Sequence, residues 1–498
     1  MVRSLEHIYH FLFFMRQIVT SITHYILYIC TAALILSVAG CSKDENFTTD
    51  RSALLHFSDD SIKFDTIFTT IGSSTQTLMV YNNNNEGIRL SNVSLKERAA
   101  SGFRLNLDGQ NGTTFNDIEI YGKDSIFCFV EVTVNPQNSN NPVLVTDEIV
   151  FTLESGLQQR VCLQAYGQDA IILHSPIITE NTTYTDTRPY IIYGPLTIAQ
   201  EATLTLSPGT RLFFHADGYI DCNGKLYADG TSKQITLRGD RLDRMFSYLP
   251  YDRLDNQWQG IRINATSYGN YLNNVDIHSG NYGIIATADN TENVQLTLLN
   301  SIIHNVGGNG LTLNGSNAVV GNSQISNTRG NCIEIHGGKY TIDFCTLAQF
   351  CPWISDRGSA LVFANSDDTG NYTPLTQLDV TNSLITGYGD DEIFGIPTDG
   401  ISDAAFNFHF TNCLLDTPEP SAAYAENFIN CIYQTTDTKT NFHTIDTDNF
   451  IYDFRLSENS MARGTGTAEG DMLTKYPADR IGTERNPASI DVGCYQFK

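Results

Sequence analysis

Residues 238–261 hold the densest group of side chains able to do chemistry: Asp240, Arg241, Tyr248, Tyr251, Asp252, Arg253 and Trp258. Aromatic faces stack on sugar rings, while Asp and Arg bond hydroxyl groups. The same residues could instead pack a loop over its own support. Trp353, with Asp356 and Arg357 beside it, carries the same two readings in a second long insert. The ligand-binding candidates are therefore Arg241, Tyr248, Tyr251, Trp258 and Trp353. His278 and His304 follow Ile277 and Ile303 in matching positions. Stacked outside the fold, they could act as a general base with a partner, or simply decorate the surface. Asp390, Asp391 and Glu392 offer the carboxylate oxygens that calcium prefers, or a solvated acidic loop. The chain carries no phosphate loop, dinucleotide fingerprint or nucleophile elbow. Without a CxxC or a zinc-finger histidine spacing, it offers no structural zinc set. No catalytic residue and no metal ligand set is assigned; calcium is the one cation the acidic run admits.

The elements that position these residues repeat along the chain. Asn274-Val275-Asp276-Ile277 is followed by Asn300-Ser301-Ile302-Ile303, Asn322-Ser323-Gln324-Ile325 and Phe344-Cys345-Thr346-Leu347. Asn382-Ser383-Leu384-Ile385, Asn412-Cys413-Leu414-Leu415 and Asn430-Cys431-Ile432-Tyr433 continue the series. The starts are 26, 22, 22, 38, 30 and 18 residues apart. Two equal gaps define a solenoid coil, and the longer gaps imply loops inserted into coils. One coil cannot bury its apolar face alone, so coils stack with Ile and Leu lining a shared core. Asn at a corner can bond through its amide to the next coil, a purely structural role.

This pattern resembles the right-handed parallel β-helix of the pectate-lyase-like superfamily, over roughly residues 185–498. Its polysaccharide lyases use an Arg or Lys base with calcium-holding carboxylates, and its polygalacturonases use clustered Asp. The polygalacturonase signature is not assembled here. His336-Gly337-Gly338, Gly389-Asp390-Asp391 and Thr398-Asp399-Gly400 come in the wrong order, and no Arg-x-Lys follows. The segments 453–456 and 491–495 resemble the terminal coils of Bacteroidetes β-helix lipoproteins. Upstream, residues 51–168 read as short apolar runs divided by Asn and Gly turns, an antiparallel sandwich. They resemble the small immunoglobulin-like modules of surface proteins. Residues 169–188 look like a junction.

The N-terminus carries a second kind of chemistry. A 13-residue apolar run, residues 26–38, ends in Val38-Ala39-Gly40-Cys41 and gives way to Ser42-Lys43-Asp44-Glu45. It is too short to cross a bilayer as a helix, which takes about 20 apolar residues. The run resembles a lipoprotein signal peptide over residues 1–40 with its lipobox. That resemblance implies a lipid-bearing Cys41 and a tether to residue 50, held in the outer membrane and exposed at the cell surface. Lys43-Asp44-Glu45 resembles the short charged export signal of Bacteroidetes lipoproteins. Without residues 1–40 the chain keeps 28 basic and 54 acidic residues, a net charge of −26. So acidic a surface excludes nucleic acid and anionic lipid as partners by repulsion. Nine cysteines follow Cys41, most of them within apolar strand patterns, and they read as core thiols. The expectation is an all-β chain: an N-terminal immunoglobulin-like β-sandwich followed by a right-handed parallel β-helix. Its expected role is non-catalytic binding of a glycan or another surface ligand, surface proteins included. A polysaccharide lyase or glycoside hydrolase, and a structural spacer for protein partners, are the alternatives.

Overall fold

The computed structural model describes residues 46–351, 354–367, 369–398 and 404–498, together with Met15. Cys41, its signal-like leader and the Lys43-Asp44-Glu45 run lie outside the described residues, as do Trp353 and Asp399-Gly400. Among the described residues no helix is long and apolar enough to cross a membrane.

Two units form, nearly all β. The first pairs two five-stranded sheets over residues 56–168. Inward and outward side chains alternate along each strand; Ser125–Val132 buries Ile126, Cys128, Val130 and Val132 and exposes Phe127 and Phe129. Phe64, Phe103, Leu105 and Phe151 belong to the shared core. All pairings but one are antiparallel: Gln158–Gln168 runs parallel to Ser61–Phe68.

The second unit consists of three long parallel sheets of eleven, nine and ten strands. The chain visits each in turn, as in Ile302–Val306, Leu311–Asn314 and Asn317–Gly321, then Gln324–Thr328, Ile333–His336 and Gly338–Asp343. Ile303 pairs with Ile325, Leu313 with Ile335 and Val320 with Ile342, so each face advances by one 22-residue coil. This is a parallel β-helix. Ile277, Ile303, Ile325, Leu347, Ile385 and Leu415 stack in register along one inner face, and all are inaccessible to solvent. Such a column buries side chains at roughly 1.5–3 kcal/mol each.

The recurring Asn sits at the corner before six strands of the eleven-stranded sheet. Asn274, Asn300, Asn322, Asn382, Asn412 and Asn430 have φ of 50–54°, the left-handed region that Asn tolerates best after Gly. Asn322 Nδ2 donates to Asn300 Oδ1 at 2.7 Å, and Asn300 Nδ2 to Asn273 Oδ1 at 2.7 Å. Phe344 occupies the same corner at φ 50°.

Two parts differ from the sequence reading. The first coil already forms within the expected junction, as Ile171–His174, Ile177–Ile178 and Thr182–Tyr184. The parallel ladder ends at Ile432–Tyr433. Residues 453–456 and 491–495 do not add coils. Phe442–Asp446 and Ile451–Leu456 fold on each other antiparallel, because Asp446 Oδ1 accepts the Asp448 and Asn449 N–H groups in a tight turn. Residues 460–498 then run back along the outside of the stack. Asn382 Nδ2 donates to Thr467 O at 2.9 Å and Asn322 Nδ2 to Ala478 O at 3.0 Å. Tyr495 Oη donates to Gln324 Oε1 at 2.6 Å. This strap also covers the odd corner, with the Arg485 guanidinium 3.8 Å from the centre of the Phe344 ring.

Candidate functional site

Residues 240–257 leave the solenoid after Ile235–Gly239 and return before Ile261–Ile263. They carry a small hairpin, Arg244–Phe246 with Leu249–Pro250. It faces the first unit, where Asp65 Oδ2 lies 3.6 Å from Arg244 Nε. A small apolar contact joins the two units, made by Phe68, Ile191 and Phe213, with the Phe68 and Phe213 rings 4.9 Å apart edge to face. Between them opens a cleft of about 680 Å³, lined by Lys63 and Asp65 on one side and Tyr193, His215, Arg241 and Phe246 on the other.

One wall of the cleft carries a file of rings. Tyr193 lies between His174 at 4.9 Å and His215 at 4.8 Å, and His215 Nδ1 is 2.8 Å from Asp240 Oδ2. The hairpin forms a lip of the cleft, and its Phe246 and Tyr248 rings stack at 5.7 Å and are each 54 % exposed. Arg241 grips Asp243 through two 2.7 Å hydrogen bonds and lies 3.9 Å over the Tyr251 ring. The Asp243 hydrogen bond raises the Arg241 guanidinium above its ordinary value, although burial opposes it. Arg241 is therefore a fixed cation in the cleft wall.

The structure thus brings Arg241 and Tyr251 into one cleft and sets Tyr248 at its lip. Trp258 is corrected: it is fully buried, stacked on Phe214 at 4.4 Å, with Nε1 donating to His278 O at 2.8 Å. It packs at the point where the insert rejoins the coils, and no face of its indole is open to a ligand. The acidic run does not converge on a cation. Glu392 turns inward to accept the Gly389 and Ala360 N–H groups, and Asp391 accepts the Ile393 N–H. Burial pushes the Glu392 carboxyl up to about 7 and the nearby Asp416 carboxyl up to about 6.

Phe246, Tyr193 and His215 were not singled out from sequence. A signal for the latter two existed: His174, Tyr193 and His215 recur at about one coil length.

A second cluster lies on the outer face of the eleven-stranded sheet. Asp276 and His278 are two apart on Val275–His278, so both point outward, and His304 pairs with His278 on the next rung. His278 Nδ1 is 2.9 Å and His304 Nε2 3.2 Å from the same oxygen, Asp276 Oδ1. Arg238 stands one coil before His278, ion-paired with Asp252 at 3.7 Å, and both line a neighbouring 500 Å³ cleft. Burial would raise the Asp276 carboxyl, but His278 and His304 outweigh it and hold it well below the usual range. Burial pulls the His278 imidazole down, Asp276 opposes, and Arg238 adds to the lowering. Among the described residues, this is the one group of three His, Cys, Asp or Glu side chains whose ligand atoms all lie within 4.8 Å of one another. The sequence pairs the two histidines but misses Asp276, although the alternation Asp-Ile-His places it on their face.

No family model and no curated protein matches the chain. Among solved structures, it is similar to a family 123 glycoside hydrolase from Clostridium perfringens, studied for glycolipid glycan hydrolysis. The identity is 8 % and the TM-score 0.17, over 23 % of this chain and 26 % of that one. The chain thus spans about a quarter of that hydrolase's length. It is also similar to the ASH/PapD-like domain 7 of human CEP192, at 10 % identity and TM-score 0.17, over 26 % of this chain and 96 % of that domain. At these scores neither likeness bears on fold or function.

Proposed function

We propose that the protein is a lipid-anchored envelope protein that binds a glycan, without cleaving it, in the cleft between its two units. The supporting observation is the Phe246–Tyr248 pair, stacked and half exposed beside the Arg241–Tyr251 shelf. Large apolar rings left in water at the mouth of a polar cleft suit the faces of sugars, whose hydroxyls His215, Asp240 and Lys63 can bond. In this reading Cys41 bears the lipid and holds the chain at the outer membrane, facing outward. The sandwich is an immunoglobulin-like module, and the coils wind right-handed, as nearly all parallel crossovers do. The solenoid is then of the pectate-lyase-like kind, in a Bacteroidetes-type surface lipoprotein.

A glycan-array screen of the full chain, with and without calcium and followed by product analysis of each hit, tests this. Retention of an intact glycan is expected, and Phe246→Ala or Tyr248→Ala should each weaken it by about 0.5–1.5 kcal/mol, the scale of an aromatic stacking contact. Cleavage of the bound glycan would move the function to the second reading, a polysaccharide lyase or glycoside hydrolase. The observation behind that reading is the Asp276–His278 pair, which stands on the outer face of the coils outside that cleft, since a carboxylate that orients an imidazole is the usual form of a general base. Silence on the array would sink both and leave a protein partner.

A further inference from the structure

We propose that Asp276, His278 and His304 form a binding site for a divalent transition-metal ion of the zinc class. This site is separate from the glycan cleft and does not depend on it.

The argument starts from convergence. Two histidines from adjacent rungs direct ring nitrogens at a single carboxylate oxygen, with N···O separations of 2.9 and 3.2 Å. Four-coordinate zinc with bonds near 2.1 Å holds neighbouring ligand atoms roughly 3.4 Å apart. Both N···O separations fall within about half an ångström of that spacing, and all three ligand atoms lie within 4.8 Å of one another. The backbone fixes this geometry in advance. The strand bearing Asp276 and His278 is paired on both sides, with Ile235–Gly239 and with Ile302–Val306. Two-residue spacing on a strand and direct register across the ladder leave little ordering cost for binding.

The donor set selects the ion. Two imidazoles and one carboxylate suit zinc and its first-row neighbours, whereas calcium takes six to eight oxygens. With three protein ligands, one coordination position stays open. Asp276 and His304 keep about a fifth of their side-chain surface exposed, so an ion can enter. On loading, any proton on the ring nitrogen that faces Asp276 leaves, to the other ring nitrogen or to water, and the lone pair so freed meets the metal. The contacts to Asp276 Oδ1 give way to N–metal–O bridges. Arg238 opposes a cation here, and its own pairing with Asp252 blunts that opposition.

The full chain, purified without a histidine tag and stripped with chelator, is loaded with Zn²⁺ and separately with Co²⁺. A single tightly held ion per chain is expected by elemental analysis, and Co²⁺ should show the intense visible bands of a low-symmetry site. Calcium in excess should displace neither. His304→Ala and Asp276→Asn should each lower affinity by more than the roughly 10–100-fold that outer-shell partners contribute. Their thermal unfolding, followed alongside, shows that the fold persists. His409→Ala removes a different histidine beside a carboxylate, Asp379, and should leave binding unchanged. Failure of the wild-type chain to retain Zn²⁺ after dialysis would overturn the proposal. So would retention by folded His304→Ala and Asp276→Asn, or an equal loss in His409→Ala.

Discussion

Trp258 shows how one residue type can serve either of two roles and how burial decides between them. Its ring fills the core between Phe214 and the sheet, and its one polar atom is satisfied by His278 O. Trp258→Ala should therefore cost about 3–5 kcal/mol of stability, the range for large core aromatics. Denaturant unfolding should show the loss, and any fall in ligand retention should follow the unfolded fraction. Asp343 gives a prediction in pH. Burial pushes its carboxyl up to about 6, against the opposing Tyr476 hydroxyl at 3.3 Å, and its Oδ1 has no partner. The native state thus holds the proton more tightly than the unfolded chain, whose ordinary value is 3.8. The resulting stabilisation is complete below that value and is lost as pH rises through about 6. Measured against Asp343→Asn, the wild-type chain should lose relative stability across this window; a flat difference would refute it. Sequence made the aromatic-rich insert visible but not the direction of each ring. Tyr248 and Trp258 look alike on the page, and only the point where the insert rejoins the coil sends one outward and the other in.

At the scale of elements, the Asn corners couple backbone conformation to coil stacking. A residue other than Gly or Asn in the left-handed region costs roughly 1–2 kcal/mol. Asn300→Ala meets that cost and also loses both amide bonds of the ladder. Asn300→Gly keeps the backbone free and should recover most of the backbone part, leaving the amide loss. Thermal unfolding of the pair separates the two contributions, and equal loss in both variants would show that conformation plays no part. These corners are why the solenoid was legible: a requirement for positive φ repeats Asn at coil spacing, and alternation supplies Ile and Leu. The first coil hid because its strands are two to four residues long and leave Ile171, Ile172 and Ile177 exposed. The strap hid for the opposite reason. Phe454, Val492 and Tyr495 are apolar and buried like coil residues, yet they pack on the outside of the stack. Apolar pattern alone does not say which surface a segment covers. Most of the cysteines read as core thiols are so placed: seven of nine are buried, with Cys162 exposed and Cys431 partly so.

For the molecule as a whole, a solenoid held by nearest-neighbour contacts is approximately a sum of its coils. The strap breaks that rule. It reaches from the end of the chain to coils more than 150 residues earlier, as Arg485 does at Asn322 and Tyr495 at Gln324. A chain ending at Asn459 keeps every parallel strand but should unfold at a lower denaturant concentration and with a shallower slope, as coils melt piecemeal. A transition as sharp as that of the full chain would show that the strap adds nothing. The consequence is one of timing. Synthesis proceeds from the N-terminus, and each coil can settle on the one before it as it emerges. The residues that bind the middle coils together appear only after every parallel strand has been made. Until they arrive the stack is a line that can grow or fray at its free end. Their arrival fastens it, so a chain stopped before residue 460 would carry every rung of its ladder and still lack its clasp.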